Sequence, residues 1–271
     1  MNPPAIGVTI AGAAGKMGQA LLQAIPQQPA LVLRGALVAS HSPWIGQTVE
    51  KQWNLETPSI QYTADLAIAM AQANVLIDFT TPIATRQYLT FCQQQRKALV
   101  IGTTGLTEAI QQQIAQVAQH IAILTAANFS LGVQLLYQLA TLAASHLGQE
   151  SDIDIIEHHH RHKRDLPSGT ALELAKQVAQ AADFSWPTCR QMLQEGIFTG
   201  RQPQTIQMVS VRSGEKMGEH TIQFTTATEQ LTISHQANSR QAFAQGALQA
   251  AQWLAQQPPG LYRLSDIVPV P

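Results

Sequence analysis

Short apolar runs alternate with amphipathic stretches through the first half of the chain. The apolar runs have the length of buried strands, and the amphipathic stretches repeat their apolar residues as one face of a helix does. The strand-like runs cover residues 6–11, 31–39, 75–79, 98–101 and 121–126. The helix-like stretches cover residues 17–25, 64–72, 82–95 and 108–119. Repeated strand–helix units predict an α/β domain with a doubly wound parallel sheet of the Rossmann type.

The pattern changes after residue 130. A long apolar helix is predicted for residues 131–147, and a second helix for residues 171–182 with Thr170 as its N-cap. Residues 184–204 are predicted to be irregular. Alternating polar and apolar positions predict strands over residues 152–157, 205–212, 219–227 and 230–235. Several strands with few helices predict a second, α+β domain with an open, mainly antiparallel or mixed sheet.

The last amphipathic stretch, residues 239–256, predicts a helix that ends before the turn Pro258-Pro-Gly260. We expect this helix to return to the first domain, which makes that domain discontinuous. The predicted first domain therefore comprises residues 1–130 and 240–271, and the second comprises residues 131–239.

Composition narrows the class of protein. The chain has 271 residues, 45% of them hydrophobic, which suits one large domain or two small ones with a sizeable core. A net charge of −1 argues against bulk electrostatic binding, so we expect no nucleic-acid or membrane partner. The two cysteines, Cys92 and Cys189, cannot form a disulfide framework and fit a reducing compartment. The N-terminus shows no export signal and no run reaches the roughly 18 apolar residues of a membrane span, so a cytoplasmic location is expected.

A glycine-rich loop follows the first predicted strand and opens the first helix. Gly12, Gly15 and Gly18 have the spacing G-x-x-G-x-x-G. Small residues here let the backbone approach a pyrophosphate that faces the helix start, although a plain tight turn has the same composition. Three more small-residue loops follow predicted strands, at residues 78–81, 102–105 and 126–129. Four such loops on one rim of a parallel sheet favour a nucleotide cleft.

The second strand indicates which nucleotide is preferred. A carboxylate for the ribose 2′-hydroxyl of NAD is expected near Val38, but residues 36–42 contain no Asp or Glu. Lys16, Ser40 and His41 are near this position in the predicted loops. The sequence therefore favours NADPH, with NADH left open.

Residues 152–170 carry the densest chemistry of the chain. Four of the nine histidines, at positions 158, 159, 160 and 162, stand beside Lys163 and two arginines. His158 and His162 have a helical zinc-ligand spacing, but the preceding alternation is typical of a strand and further ligands are missing, so no metal site is predicted. The aromatic residues that stack nucleic-acid bases are missing too.

The remaining interpretation is an acid–base site for an anionic small molecule. Histidine and lysine can supply a proton. The backbone N–H groups of Gly169 and Thr170, at a predicted helix start, would bind one carboxylate, and cationic side chains a second. The residues alone thus predict a nucleotide-dependent reductase or dehydrogenase of a dicarboxylate.

The same stretch contains the complete pattern E-x-H-H-x-x-K-x-D-x-P-S-G-T, from Glu157 to Thr170. In this pattern, and in further motifs along nearly the whole chain, the sequence resembles the 4-hydroxy-tetrahydrodipicolinate reductases (dihydrodipicolinate reductases). Two positions depart from many members: an acidic residue is replaced by Val38, and an arginine by Thr81. The resemblance implies an NAD(P)H-dependent oxidoreductase of the diaminopimelate route of lysine biosynthesis, acting on a cyclic dicarboxylate.

The resemblance also implies residue roles and an assembly. His159 and Lys163 correspond to the catalytic proton donors, and His160, Gly169 and Thr170 to the substrate contacts. The cofactor contacts correspond to Gly12, Ala13, Ala14, Gly15, Lys16, Met17, Gly102, Thr103, Thr104, Ala126, Ala127, Asn128 and Phe129. Family members are typically homotetramers assembled through the sheet of the second domain, which gives residues 131–239 a substrate-binding and oligomerisation role.

Two other classes of function compete with this one. A dehydrogenase of an aspartate-pathway semialdehyde would need a nucleophilic cysteine, but Cys92 lies inside a predicted helix and Cys189 in a loop. A non-catalytic nucleotide sensor on the same scaffold is disfavoured by the presence of both His159 and Lys163.

Overall fold

The computed structural model describes residues 5–49, 59–192 and 200–267. It divides the chain into two compact units, with one boundary between Phe129 and Ser130 and the other between Ser239 and Arg240. The first unit therefore contains the beginning of the chain and the last helix.

Within the described residues, the first unit is built on a seven-stranded sheet with the order β12-β6-β5-β4-β1-β2-β3, in which every pairing is parallel. Its strands are β1 (Ile6–Ala11), β2 (Leu31–Leu37), β3 (Tyr62–Thr63), β4 (Val75–Asp78), β5 (Ala98–Ile101), β6 (Ala122–Thr125) and β12 (Gly260–Arg263). Its helices are α1 (Lys16–Ala24), α2 (Leu66–Met70), α3 (Pro82–Gln95), α4 (Glu108–Val117) and α7 (Gln241–Leu254), with 3₁₀ turns at Ile25–Gln27 and Leu264–Asp266.

The burial of these strands and helices explains why the apolar pattern of the sequence predicted them. The central strands β1 and β4 are covered on both faces, so they are nearly continuous apolar runs. Side-chain oxygens of Asp65, Thr81 and Thr107 accept backbone N–H bonds at the starts of α2, α3 and α4. The predicted alternation of strands and helices is confirmed across this unit.

The second unit contains helices α5 (Leu131–Leu147) and α6 (Gly169–Ala181) and a mixed sheet. The described strands are β7 (Asp152–His159), β8 (Arg190–Met192), β9 (Ile206–Arg212), β10 (Glu219–Thr225) and β11 (Gln230–Gln236). Their order is β11-β10-β7-β9-β8, with β10 antiparallel to both neighbours and β9 parallel to both. Both helices and the sheet contribute to one apolar core. The predicted fold class is confirmed.

Two details of the sequence prediction are wrong, and one strand was missed. Ser168, not Thr170, is the N-cap of α6: its hydroxyl accepts the N–H of Ala171 at 3.2 Å, so the helix begins at Gly169. The segment expected to be irregular, part of which lies outside the described residues, contains β8. Strand β12, which begins at Gly260 and pairs with β6 as a parallel strand, was not predicted. Strands this short depend on a partner that local sequence does not reveal.

Candidate active site

The glycine loop after β1 has the geometry that a dinucleotide requires. Gly12 has φ +69°, a left-handed conformation that disfavours a side chain. A Cβ on Gly18 would lie 2.6 Å from the Cα of Ala13, so only glycine lets α1 approach the loop. Gly15 occupies the N-cap position of α1, and no side chain among the described residues caps it. Gly15 and Lys16 are exposed, which leaves the helix start open to an anion such as a pyrophosphate.

The other predicted cofactor residues lie in loops after β5 and β6. Because β1, β4, β5 and β6 are sheet neighbours, the loops at their carboxyl ends share one rim. The aromatic rings of Phe79 and Phe129 meet edge to face with centroids 5.3 Å apart. A side chain on Gly102 would overlap the Phe79 ring. Thr104 and Ala127 are exposed on this rim, whereas Thr103 is buried. Small residues thus keep the rim open, and the residues present fit a bound dinucleotide.

Asp78, at the end of β4, is a buried carboxylate to which sequence analysis assigned no role. It accepts hydrogen bonds from the hydroxyls of Thr80 and Thr85 and from the backbone N–H of Thr80. The same Thr80 N–H lies 2.9 Å from the Thr103 hydroxyl oxygen, which joins two of the rim loops. Burial raises the pKa of Asp78, and hydrogen bonds from the threonines only partly offset that effect. Its position after an apolar strand and before two threonines was the available signal.

The position at the end of β2 that the sequence predicts for the ribose contact is apolar. Val38, which directly follows β2, is buried. Its backbone N–H donates to the carbonyl oxygen of Thr63, so the end of β2 is hydrogen-bonded to β3. Ser40 and His41 are exposed immediately after it.

In the second unit, β7 delivers Glu157 and His159 to one face of the sheet because strand residues two apart point the same way. Nδ1 of His159 hydrogen bonds Oε2 of Glu157. The guanidinium of Arg212, on β9, donates to both carboxylate oxygens at 2.8 and 2.6 Å. Burial alone would raise the pKa of Glu157, but the hydrogen bonds from His159 and Arg212 lower it far below its usual range. Glu157 is therefore charged at neutral pH.

His220, on β10, completes this group from the next strand. Its ring meets that of His159 edge to face at 5.1 Å, and its Nε2 lies 3.1 Å from the hydroxyl of Ser168. Burial lowers the pKa of His220 to about 3, and His159 adds to the shift, so His220 is neutral. Neither His220 nor Arg212 was assigned a role from the sequence. The sequence did contain one indication of a residue such as Arg212. Glu157 is an acidic residue within a buried strand, and a buried carboxylate requires a cationic partner.

Lys163 lies in the loop between β7 and α6, with its Nζ 2.9 Å from Oδ1 of Asp165. Burial would raise the pKa of Asp165, but the hydrogen bond and charge of Lys163 lower it, with a contribution from the backbone N–H of Gly169. Asp165 thus lies between two groups that the sequence assigned to the reaction. Apart from its chain neighbours and the backbone of its own helix, no described atom lies within 4 Å of a Cβ built on Gly169, and Gly169 itself is exposed.

The remaining histidines of the cluster face the loop that follows β9. The backbone N–H of His160 bonds the carbonyl of Lys216 at 2.8 Å. Burial of the ring, followed by repulsion from His162, lowers the pKa of His160. Nε2 of His158 lies 2.6 Å from the hydroxyl of Ser213. His158 is therefore used in holding this loop, a role that the sequence did not assign.

The structure brings the predicted residues together in two separate sets. Residues 12–17, 102–104 and 126–129 lie on the sheet rim of the first unit. His159, His160 and Lys163 lie at or just after the end of β7 in the second unit, with Gly169 and Thr170 opening α6. In the part of the chain that the structure describes, no group of three or more His, Cys, Asp and Glu side chains is placed to hold a metal ion. No helix there is long and apolar enough to cross a bilayer.

Neither cysteine is available as a nucleophile. Cys92 is buried in α3, where burial and the nearby charge of Asp78 raise the pKa of its thiol to about 12. Cys189 is buried too, and burial raises its thiol pKa. This agrees with the argument against semialdehyde chemistry.

Comparisons with known proteins agree along nearly the whole length of the chain. Residues 6–129 match the family model "Dihydrodipicolinate reductase, N-terminus", and residues 132–268 match "Dihydrodipicolinate reductase, C-terminus". A 4-hydroxy-tetrahydrodipicolinate reductase of Laribacter hongkongensis (strain HLHK9) is 42% identical over 261 residues, covering 96% of this chain and 97% of the relative.

Solved structures share the fold. A dipicolinate-bound dihydrodipicolinate reductase from Paenisporosarcina sp. TG-14 is similar with a TM-score of 0.73 and 28% identity, covering 96% of this chain and 97% of the other. An amine dehydrogenase from Mycobacterium smegmatis has a TM-score of 0.65 at 9% identity, covering 96% and 95%, which shows the fold alone. With both halves matched by the family models and a close full-length relative, this chain belongs to the dihydrodipicolinate reductase family.

Proposed function

We propose that this protein reduces 4-hydroxy-tetrahydrodipicolinate to tetrahydrodipicolinate with NAD(P)H, with the 4-hydroxyl group leaving as water, in the diaminopimelate route of lysine biosynthesis. The observation that carries the proposal is the grouping of His159, Lys163 and the exposed Gly169, which begins α6, at and after the end of one strand. Family membership and the 42% identical relative of that name support it.

The first unit would hold the cofactor. The open start of α1 and the loop at Gly12 suit the pyrophosphate, and residues 102–104 and 126–129 suit the nicotinamide end. When bound, the reduced nicotinamide supplies the hydride. NADPH is favoured over NADH because the end of β2 has Val38, Ser40 and His41 where a carboxylate would repel a 2′-phosphate.

The second unit would hold the substrate and supply the proton. Gly169 and Thr170 at the start of α6 would bind one carboxylate, with His160 as a further contact. His159 or Lys163 would donate the proton, since imidazole and ammonium groups can act as general acids. His159 ends β7, and Lys163 lies in the loop that leads to this helix start. A cyclic dicarboxylate is supported by the similar structure, which is described as dipicolinate-bound.

We extend the proposal to location and assembly. The protein would act in the cytoplasm as a homotetramer formed through the second unit, without nucleic-acid or membrane partners. An apolar groove on this unit supports self-association, and β11 forms the edge of its sheet. The groove is lined by Leu139, Leu142, Ala143, His146, Leu147, Leu231 and Ile233.

Cofactor oxidation tests the function directly. The purified protein is mixed with NADPH, with and without the cyclised product of pyruvate and aspartate semialdehyde. A reductase oxidises NADPH only when the cyclised product is present. Oxidation with the uncyclised semialdehyde alone would indicate a different dehydrogenase, and binding of NADPH without turnover would indicate a sensor.

Repeating the assay with NADH should give a lower kcat/KM, and a clear NADH preference would contradict the assignment of the β2 terminus.

A further inference from the structure

Glu157 is a buried carboxylate that has more hydrogen-bonding partners than the ion pair with Arg212 alone provides. It is only 1% exposed, and a carboxylate so placed is tolerated only with charged and hydrogen-bonding partners. The guanidinium of Arg212 donates to both carboxylate oxygens in a bidentate arrangement. Each oxygen then has a second partner: Nδ1 of His159 on one and the backbone N–H of Ser168, at 3.2 Å, on the other.

These two further partners lead to the two halves of the proposed substrate site. His159 is a proposed proton donor, and Ser168 is the N-cap of α6, whose first residues are Gly169 and Thr170. One carboxylate therefore holds the donor ring and the carboxylate-binding helix start in a fixed relation. Ser168 is also held from the other side, by its hydroxyl contact to His220.

The contact to Nδ1 fixes how the imidazole can work. With Nδ1–H directed at Glu157, the exchangeable position left for chemistry is Nε2. That nitrogen faces Gly218, whose φ is +156°, and a Cβ at this position would lie 3.0 Å from Nε2. Glycine thus places no side chain against Nε2, in a residue that is 7% exposed.

We propose that Glu157, held by Arg212, is a positioning residue for the reduction: it fixes the tautomer and orientation of His159 and holds the start of α6 against it. The inference rests on the proposed function of His159. A carboxylate in this relation orients an imidazole and stabilises its protonated form, as in other carboxylate–histidine pairs.

The charged and titratable groups around His159 come from several neighbouring elements. Glu157 shares its strand, Arg212 faces it from β9 and His220 from β10, while His160 and Lys163 follow in the loop. Glu157 is the acidic member of this set and contacts the ring directly. Removing its charge should therefore make the protonated imidazole harder to form.

Glu157→Gln tests the proposal because glutamine keeps the shape and loses the charge. We expect kcat to fall about 10-fold or more, with the KM for NADPH unchanged, since general acid catalysis contributes about 10²–10⁴-fold. The alkaline limb of the kcat profile should move down by about one pH unit. Long-range proton–nitrogen NMR spectra should show loss of the Nδ1–H tautomer of His159, a readout that needs no turnover.

Asp154→Asn is the matched control. Asp154 lies on the same strand and pairs with Arg201 at 2.8 Å, away from His159, so its loss should leave kcat, its pH profile and the tautomer unchanged. A folded Glu157→Gln enzyme with wild-type kcat, pH profile and tautomer would overturn the positioning role. Equal effects of both substitutions would also overturn it, because a general loss of strand stability would then suffice.

A second variant covers a failure of Glu157→Gln to fold. Arg212→Lys keeps the positive charge and loses the two-pronged grip, and it should shift the pH profile and the tautomer in the same direction. No shift in this variant would count against the proposal. If the wild-type protein shows no turnover, the proposed function fails, while the tautomer comparison still decides whether Glu157 orients His159.

Discussion

At the scale of single residues, the pairing of Lys163 with Asp165 determines how this lysine can act. The ammonium of Lys163, 2.9 Å from the carboxylate of Asp165, is held in place by this ion pair, and the negative charge of Asp165 balances its positive charge. A substrate carboxylate that binds at the start of α6 would therefore compete with Asp165 for Lys163.

We predict that Lys163→Ala lowers kcat by ~10²-fold or more, because a proton donor and a substrate-facing charge are lost together. The KM for NADPH and the thermal stability should stay near wild type, since the side chain belongs to the second unit and to its surface loop. Steady-state kinetics and a melting curve measure both. Lys176→Ala, an exposed lysine of α6, should leave all values unchanged. Full turnover by the Lys163 variant would remove this residue from the mechanism.

At the scale of elements, the strand–loop–helix unit β1–α1 shows how composition serves a binding loop. Helix α1 approaches so closely that a side chain on Gly18 would overlap the carbonyl oxygen of Gly12. The nearest atoms, the carbonyl oxygen of Gly12 and the Cα of Ala13, belong to the backbone. The loop itself would therefore have to move. The loop geometry therefore depends on a residue that need not contact the cofactor.

Gly18→Ala should displace the loop, raise the KM for NADPH about 10-fold or more and destabilise the fold by about 1–3 kcal/mol, as overpacking does. Titration of NADPH and denaturant unfolding measure the two effects. The control is Gln23→Ala on the exposed face of the same helix, which should change neither. Unaltered NADPH binding in Gly18→Ala would mean that the loop does not hold the pyrophosphate.

At the scale of the whole molecule, the second unit presents apolar surface that a single chain leaves uncovered. The groove between α5 and β11 has a volume of about 680 Å³, and Leu231 is 40% exposed on the edge strand. Open edges and apolar grooves of this kind favour association.

We predict that the protein sediments with four times the 29.4 kDa mass of the chain. Leu231→Lys should shift it to smaller species, because a charge on an edge strand opposes pairing. Ile83→Lys is the control, at a residue that is 77% exposed on α3 of the first unit. A wild-type monomer would contradict the tetramer, and equal dissociation by both variants would contradict its location.

The sequence by itself determined the elements and the fold class, because burial on both faces of β1 and β4 and on one face of each helix leaves a periodic record. It also determined which residues could carry the chemistry, since His159, Lys163 and Gly169 stand within one short segment around a strand end. Their roles remain predictions.

Only the tertiary structure decided the partners of those residues. Arg212 and His220 lie more than 50 positions away in sequence from Glu157 and Ser168, and strand pairing alone brings them together. The short strands β3 and β12, the N-cap at Ser168 and the buried Asp78 likewise depend on neighbours that local periodicity does not encode. Local pattern reflects which side of an element is buried, whereas contacts between distant residues are set by sheet order and register.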